Sequence, residues 1–347
     1  MKCCAEDLVM RQCIAPRIGP PPQTGRRPFW SVMIPAYNRT RYLEKTLRSV
    51  LSQDPGAEEM QIEVVDDAST LDDPEPLVRR VAGGRVNFVR QPRNVGAFAN
   101  FNSCIERSLG KWVHILHTDD FVLAGFYERL RASLEGLDGV GAAFCRHTVV
   151  DEHEHRLWDS ELERSSSGIL PGFIEKISLS QRIQCPAIVV RRSVYEMLGG
   201  FRTDLPFAGD WEMWTRVAAH YPVWYEPMTL AAFRVHSRSY TRVLMRSGET
   251  IADLRRCIAI SHPLLPPDRA EGISRQAREL VAAGALEHAL ACVTGLAFTS
   301  AVKHVWQGLM CSRSPRVIKA LLSLPARIVR GGMRRAYRAA KRQRARE

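Results

Sequence analysis

Two neighbouring carboxylates, Asp119 and Asp120, close the segment Lys-Trp-Val-His-Ile-Leu-His-Thr that begins at Lys111. Val113, Ile115 and Leu116 predict a buried strand, which puts both acids at its carboxyl end. Paired acids in that position suit a divalent cation bridging to phosphate oxygens. Asp also favours turns, so a polar turn after a strand is the plain alternative. The arrangement recurs, however. Asp66-Asp67 follow the apolar run Ile62–Val65, and Tyr37-Asn38 lie just past Trp30–Pro35. In open parallel sheets ligands bind outside the carboxyl ends of the strands, and a chance turn explains one such pair better than three. No Gly-x-Gly-x-x-Gly follows the first strand and no Gly-x-x-x-x-Gly-Lys-Ser/Thr occurs, so phosphate would have to be neutralised by a metal held on carboxylates.

These groups need a scaffold, and the chain predicts one. After Trp30–Pro35 comes a helix with Leu43, Leu47, Val50 and Leu51 on one face, ended by Asp54-Pro55-Gly56. A short helix over Pro76–Val81 leads to a strand at Val86–Val89, and Asn94-Val95-Gly96 opens a helix through Ile105. Strand and helix alternating four times up to Phe121 predicts an α/β fold with a parallel sheet. Further on the pattern predicts a helix at Phe126–Leu134, strands at Val140–Cys145, Cys185–Val190 and Leu230–Val235, and a helix at Trp211–His220. From about Ser247 the reading is helical throughout.

The 347 residues are 45% apolar, enough for a large core, and the nine cysteines form no Cys-x-x-Cys pair. Reduced thiols and a cytoplasmic setting fit that usage better than a disulfide framework or a zinc site. The first residues lack the apolar run of a secretory signal, and Leu280–Val302, interrupted by Glu287 and His288, reads as a core helix rather than a membrane span. The net charge of +12 is concentrated at one end: Ala326–Arg346 holds nine Lys or Arg and no acid. Such a tail could meet anionic lipid at the cytoplasmic membrane face or stay a solvated basic helix. A nucleic-acid binder would carry its basic face within the folded domain, so that class is disfavoured. His153 and His155 lie among acids, but their spacing is not diagnostic of a metal site.

Six short motifs stand in order: Val-Met-Ile-Pro-Ala-Tyr-Asn (32–38), Ser-Val-Leu-Ser-Gln (49–53), Glu-Val-Val-Asp-Asp-Ala-Ser (63–69), Asn-Val-Gly (94–96), His-Thr-Asp-Asp (117–120) and Gly-Asp-Trp-Glu-Met-Trp (209–214). Together, across residues 29–240, they resemble glycosyltransferase family 2. The resemblance implies a GT-A fold, Rossmann-like with a mostly parallel sheet flanked by helices, here with a C-terminal helical extension. It implies a GT-A domain (28–245) split into a nucleotide-sugar half (28–121) and an acceptor half (122–245); outside it, the Pro- and Gly-containing stretch 1–27 reads as a flexible leader, 246–325 as a helical extension and 326–347 as the basic tail. It also implies inverting sugar transfer from a nucleotide-sugar donor, UDP- or dTDP-linked, to a glycan or lipid-linked acceptor in polysaccharide or glycoconjugate synthesis, with Mg²⁺ or Mn²⁺. Carried onto this chain, Pro35, Tyr37 and Asp67 would line the base and ribose pocket. Asp120 would hold the metal directly, with Asp119 as ribose or supporting partner and His236 as a further metal contact. Asp210 would be the general base, although an Asp before a helix is also a good N-cap. Gly209 stands where the family often has Glu, and Glu212 is a weak competitor for the base. Asn94 and Gly96 would open a helix near the donor, while Trp211 and Trp214 would either stack on an acceptor sugar or pack as core. The competing classes are a nucleotidyltransferase, disfavoured because Ala36–Thr40 has no glycine, and an inactive nucleotide-sugar-binding protein of the same fold.

Overall fold

The computed structural model describes residues 15–21, 25–237, 239, 244–245, 249–295 and 297–326. Most of the predicted leader (1–14 and 22–24) and the basic tail beyond Ala326 lie outside the described residues. Of those described, the residues up to Ile177 together with Gln181–His236 form one compact unit, and Ser178–Ser180 with those from Ser237 onward form a second.

The first unit is built on a ten-stranded sheet. Four strands, β1 (Trp30–Ala36), β2 (Met60–Asp66), β3 (Asn87–Arg90) and β4 (Trp112–Ile115), pair in parallel in the order β3-β2-β1-β4. Helices α1 (Leu43–Leu51), α2 (Glu75–Ala82) and α3 (Ala97–Arg107) form the crossovers. The near-continuous apolar runs of β1 and β2 follow from burial on both faces. Leu43, Leu47 and Val50, at helical spacing, seat α1 against Val32, Ile34 and Val64 in the core.

Past this half the sheet is mixed. Strand β5 (Phe121–Val122), helix α4 (Phe126–Leu134), β6 (Ala142–Val150), β7 (Arg156–Asp159), β8 (Gly168–Ile169), helix α5 (Phe173–Leu179), β9 (Ile188–Arg191), helix α6 (Arg192–Leu198), helix α7 (Gly209–His220) and β10 (Val223–Arg234) follow in order. Strand β9 runs antiparallel between β4 and β6, while β10 is parallel to β6. Cys185–Ala187, predicted as the start of β9, is a 3₁₀ turn. The strand predicted from Leu230 begins at Val223 instead. Pro227 reads as a strand breaker, but the strand passes it through register shifts between Glu226 and Ala231, where a bulge tolerates proline.

The second unit contains α8 (Glu249–Ser261), α9 (Ala270–Thr294), α10 (Phe298–Cys311) and a helical segment over 315–326. Its core joins Ile251, Ala282, Ala285, Leu286, Cys311, Val317 and Leu324. Gly308 lets α10 approach α9 closely, since a Cβ there would sit 3.2 Å from that of Ala285. Among the described residues no helix is long and apolar enough to cross a membrane.

Candidate active site

The site lies at the carboxyl rim of β1, β2 and β4. The β4 strand is locked by buried His114, whose ring nitrogens meet the Tyr127 hydroxyl (3.0 Å) and the Pro186 carbonyl (3.1 Å). Burial drives its titration down to about 3, so it is a neutral structural group. Beyond β4 the chain turns, and that turn is held from two sides. Buried Thr46 on α1 donates to the carbonyls of Thr118 (2.9 Å) and Asp120 (2.7 Å). Arg234, 2% exposed at the end of β10, donates Nε to the Asp119 carbonyl (2.9 Å) and its backbone N–H to Asp120 Oδ1 (2.9 Å). The same guanidinium reaches Glu154 (3.1 Å) and lies over the Tyr42 ring at 4.4 Å.

With its backbone fixed, the turn presents a compact donor set. His117, Asp119 and Asp120 each offer an atom within 4.8 Å of the others. Asp120 Oδ2 is buried without a hydrogen-bond partner, and His117 Nδ1 stands 3.4 Å from it. Burial, reinforced by Asp119, raises the Asp120 carboxyl to about 6. Burial acts on Asp119 too, but the His236 hydrogen bond and the positive charges of His117 and Arg39 outweigh it and hold this carboxyl below its ordinary value. His236 Nε2 meets Asp119 Oδ2 at 3.0 Å and Arg39 meets the same oxygen at 3.3 Å. His236 therefore bonds Asp119, while the compact donor set is made of His117, Asp119 and Asp120. An acidic pair with an imidazole and an unpaired buried oxygen fits a divalent cation. The sequence reading quoted His117 within the motif His-Thr-Asp-Asp but gave neither it nor Arg234 a role, because the contacts that set them apart are made only in the fold.

Asp210 is the second residue of α7, and Ala208 occupies the N-cap without a side-chain cap bond, so Asp210 does not act as the helix cap. Its Oδ1 accepts from the Trp211 N–H (2.7 Å) and its Oδ2 from Gln181 Nε2 (2.8 Å). Burial raises the carboxyl to about 6. The charge of His117 lowers Asp119, Asp120 and Asp210 alike, so all three acids lie within electrostatic reach of that imidazole. Glu212, the competitor, is buried in a paired contact with Arg216 (2.8 and 2.9 Å). Gly209 is set by packing, since a Cβ there would fall 2.7 Å from the Phe98 ring. Trp211 and Trp214 are buried, and Trp211 Nε1 donates to the Ile177 carbonyl (2.6 Å), so both pack as core.

The β2 acids are differently occupied. Asp66 is fully buried and accepts from the Ser69 N–H (3.2 Å), the Ser69 hydroxyl and Arg90 Nε (2.7 Å). Asp67 accepts from the N–H groups of Val95 (2.8 Å) and Gly96 (3.0 Å) at the start of α3. Burial still raises its carboxyl, against the lowering effect of those bonds. Asn94 donates to the Asp67 carbonyl at 3.3 Å. Asn38, at φ +50°, accepts from the N–H groups of Thr70 and Leu71 (both 2.8 Å) and ties the β1 and β2 loops together. Pro35 is buried in β1 and Tyr37 is exposed beside it. His153 and His155 are exposed, with His155 on Asp151 (3.0 Å).

This fold and rim define a glycosyltransferase of the GT-A type. The profile of Glycosyl transferase family 2 matches residues 31–198. A Bacillus subtilis (strain 168) protein named as a teichuronic acid biosynthesis glycosyltransferase, TuaG, is 36% identical over 186 residues, 49% of this chain and 71% of its own. The chain belongs to glycosyltransferase family 2. Among solved structures, S. aureus TarS 1-349 in complex with UDP-GlcNAc superposes with a TM-score of 0.54 at 13% identity, covering 80% of this chain and 90% of that one. The mannosyltransferase PcManGT from Pyrobaculum calidifontis, in complex with GDP-Man and Mn²⁺, gives 0.51 at 21% identity over 92% and 93%.

Proposed function

We propose that this enzyme is an inverting, metal-assisted glycosyltransferase of polysaccharide synthesis, moving a sugar from a nucleotide donor to a hydroxyl of a glycan or lipid-linked acceptor. The observation that carries the reading is the buried Asp120 oxygen that no hydrogen bond satisfies, in the compact donor set it forms with Asp119 and His117, with Asp210 within electrostatic reach of the same imidazole. The named role of the B. subtilis relative supports the polysaccharide setting. In this reading residues 28–121 carry the donor and 122–245 the acceptor, with Pro35, Tyr37, Asp67 and Asp119 around the nucleotide. The donor is UDP- or dTDP-linked. One related fold holds a uridine and another a guanosine donor, so the base is the first thing to test.

Asp119 and Asp120 would hold Mg²⁺ or Mn²⁺, which when bound supplies Lewis-acid stabilisation of the departing diphosphate. Asp120 keeps Oδ2 available because the Arg234 N–H fixes Oδ1. Asp210 removes the proton of the acceptor hydroxyl as that oxygen attacks the anomeric carbon from the face opposite the diphosphate, giving inversion. Trp211 N–H and Gln181 aim its oxygens, and a carboxyl raised to about 6 is a stronger base than a solvated one while still ionised at neutral pH. Purified enzyme is assayed for binding and slow hydrolysis of UDP-, dTDP- and GDP-sugars with Mn²⁺. One donor is expected to bind, and Asp210→Asn to bind it without turnover; no binding of any donor overturns the reading.

A further inference from the structure

We propose that His117 is a direct metal ligand of this site and that its imidazole biases the site toward a first-row transition-metal dication over Mg²⁺. The inference rests on the metal-assisted reading above and goes past it, because it names the ion the donor set selects.

Geometry comes first. Metal–ligand bonds of about 2.1 Å put neighbouring ligand atoms about 3 Å apart and opposite ones about 4.2 Å apart. His117 Nδ1 lies 3.4 Å from Asp120 Oδ2, and the donor atoms of His117, Asp119 and Asp120 all fall within 4.8 Å. The spacing is too long for a strong hydrogen bond and right for two atoms on one ion. Buried Asp120 Oδ2 has no other partner. The other imidazole of the rim is committed: His236 Nε2 bonds Asp119 Oδ2 at 3.0 Å, and its ring packs on Tyr42 at 5.1 Å. His236 thus orients a ligating carboxylate from behind, the usual office of an outer partner. His117 is itself held in place, its ring tilted on Phe101 at 5.1 Å, with the Cys185 thiol beside it.

Chemistry supplies the selectivity. Mg²⁺ takes oxygen donors and sheds water reluctantly, whereas imidazole nitrogen suits transition metals. One nitrogen among two carboxylates therefore shifts preference away from Mg²⁺.

The test uses the full chain with Mn²⁺ alone and with Mn²⁺ plus UDP, dTDP or GDP, read by electron paramagnetic resonance. Bound Mn²⁺ is expected to show nitrogen hyperfine coupling, and Mg²⁺ to displace it poorly. In His117→Ala the coupling disappears and Mn²⁺ binding weakens by about tenfold or more. In His117→Asp, an all-carboxylate set, the Mg²⁺/Mn²⁺ preference moves toward Mg²⁺. In His236→Ala the coupling persists. Mn²⁺ that binds wild-type protein without nitrogen coupling, or coupling that survives His117→Ala and vanishes in His236→Ala, overturns the assignment while leaving the transferase reading intact. Donor turnover with no metal bound in any state also overturns it. A silent donor panel instead strikes the transferase reading itself.

Discussion

The rim carries two Asp-Asp pairs at strand ends, and they do opposite things. After β2, Asp66 and Asp67 have every carboxylate oxygen engaged by Ser69, Arg90, Val95 or Gly96. After β4, one oxygen of Asp120 is buried with no hydrogen bond at all. Saturated acids knit loops to a helix start, and an acid kept short of partners is held ready for a ligand. The difference lies in what reaches each turn. The β2 pair meets backbone N–H groups at the head of α3, which satisfy anions well. The β4 pair sits on a backbone tied by Thr46 and Arg234, and of its oxygens Asp120 Oδ2 is the buried one that no hydrogen bond satisfies.

Substitutions can break this contrast from either side. The largest effect is expected at the β4 pair: Asp120→Ala should lower transfer by about a thousandfold and abolish Mn²⁺ binding. In Asp120→Asn, which keeps an acceptor for the Arg234 N–H, stability should hold or rise. A folded-state carboxyl raised to about 6 binds its proton more tightly than an unfolded one, so the ionised group opposes folding at neutral pH and that penalty fades as pH falls through 6. Denaturant titration of Asp120→Asn beside wild type checks this; a clear loss of stability contradicts it.

At the β2 pair the outcome should invert. Asp66→Ala strips the acceptor from the half-buried Ser69 N–H and hydroxyl and from Arg90, costing about 2 kcal/mol of stability, while Mn²⁺ binding persists in protein that remains folded. Equal losses of metal binding at both pairs would erase the distinction drawn here.

The base offers a subtler measure. Because burial raises Asp210 to about 6, kcat should fall on the acid side with a midpoint near that pH. Gln181→Leu removes a bond that favours the ionised form, so the limb should move to higher pH, a shift that general destabilisation would not produce. Smaller again, Gly209→Ala should cost about 1–3 kcal/mol as its Cβ presses on Phe98, a loss that Gly209→Ala/Phe98→Leu should partly recover. The least effect is expected from Arg39→Ala, a few-fold in KM for the donor, since this cation is partly exposed where it meets Asp119.

Much of the scaffold was legible without coordinates. Alternating apolar runs and amphipathic helices in the first 120 residues named four parallel strands and their crossovers, because period and turn chemistry are local properties. The later strands were harder. The short β7 and β8 sit in polar segments, and β10 runs through Pro227, where pairing with β6 overrides a local signal against a strand. Trp211, Trp214 and Glu212 had open readings until packing and Arg216 closed them.

The sequence by itself determined the acids at the strand ends, their order, and the family to which those motifs belong. Only the tertiary structure decided which acid is saturated and which is left open. It brought His117 within electrostatic reach of Asp210, far away along the chain, and it bonded His236 to Asp119. The physical reason is that a carboxylate's chemistry depends on who donates to it. Those donors, Arg234 to Asp120 and Gln181 to Asp210 among them, arrive from residues distant in sequence that only folding brings near.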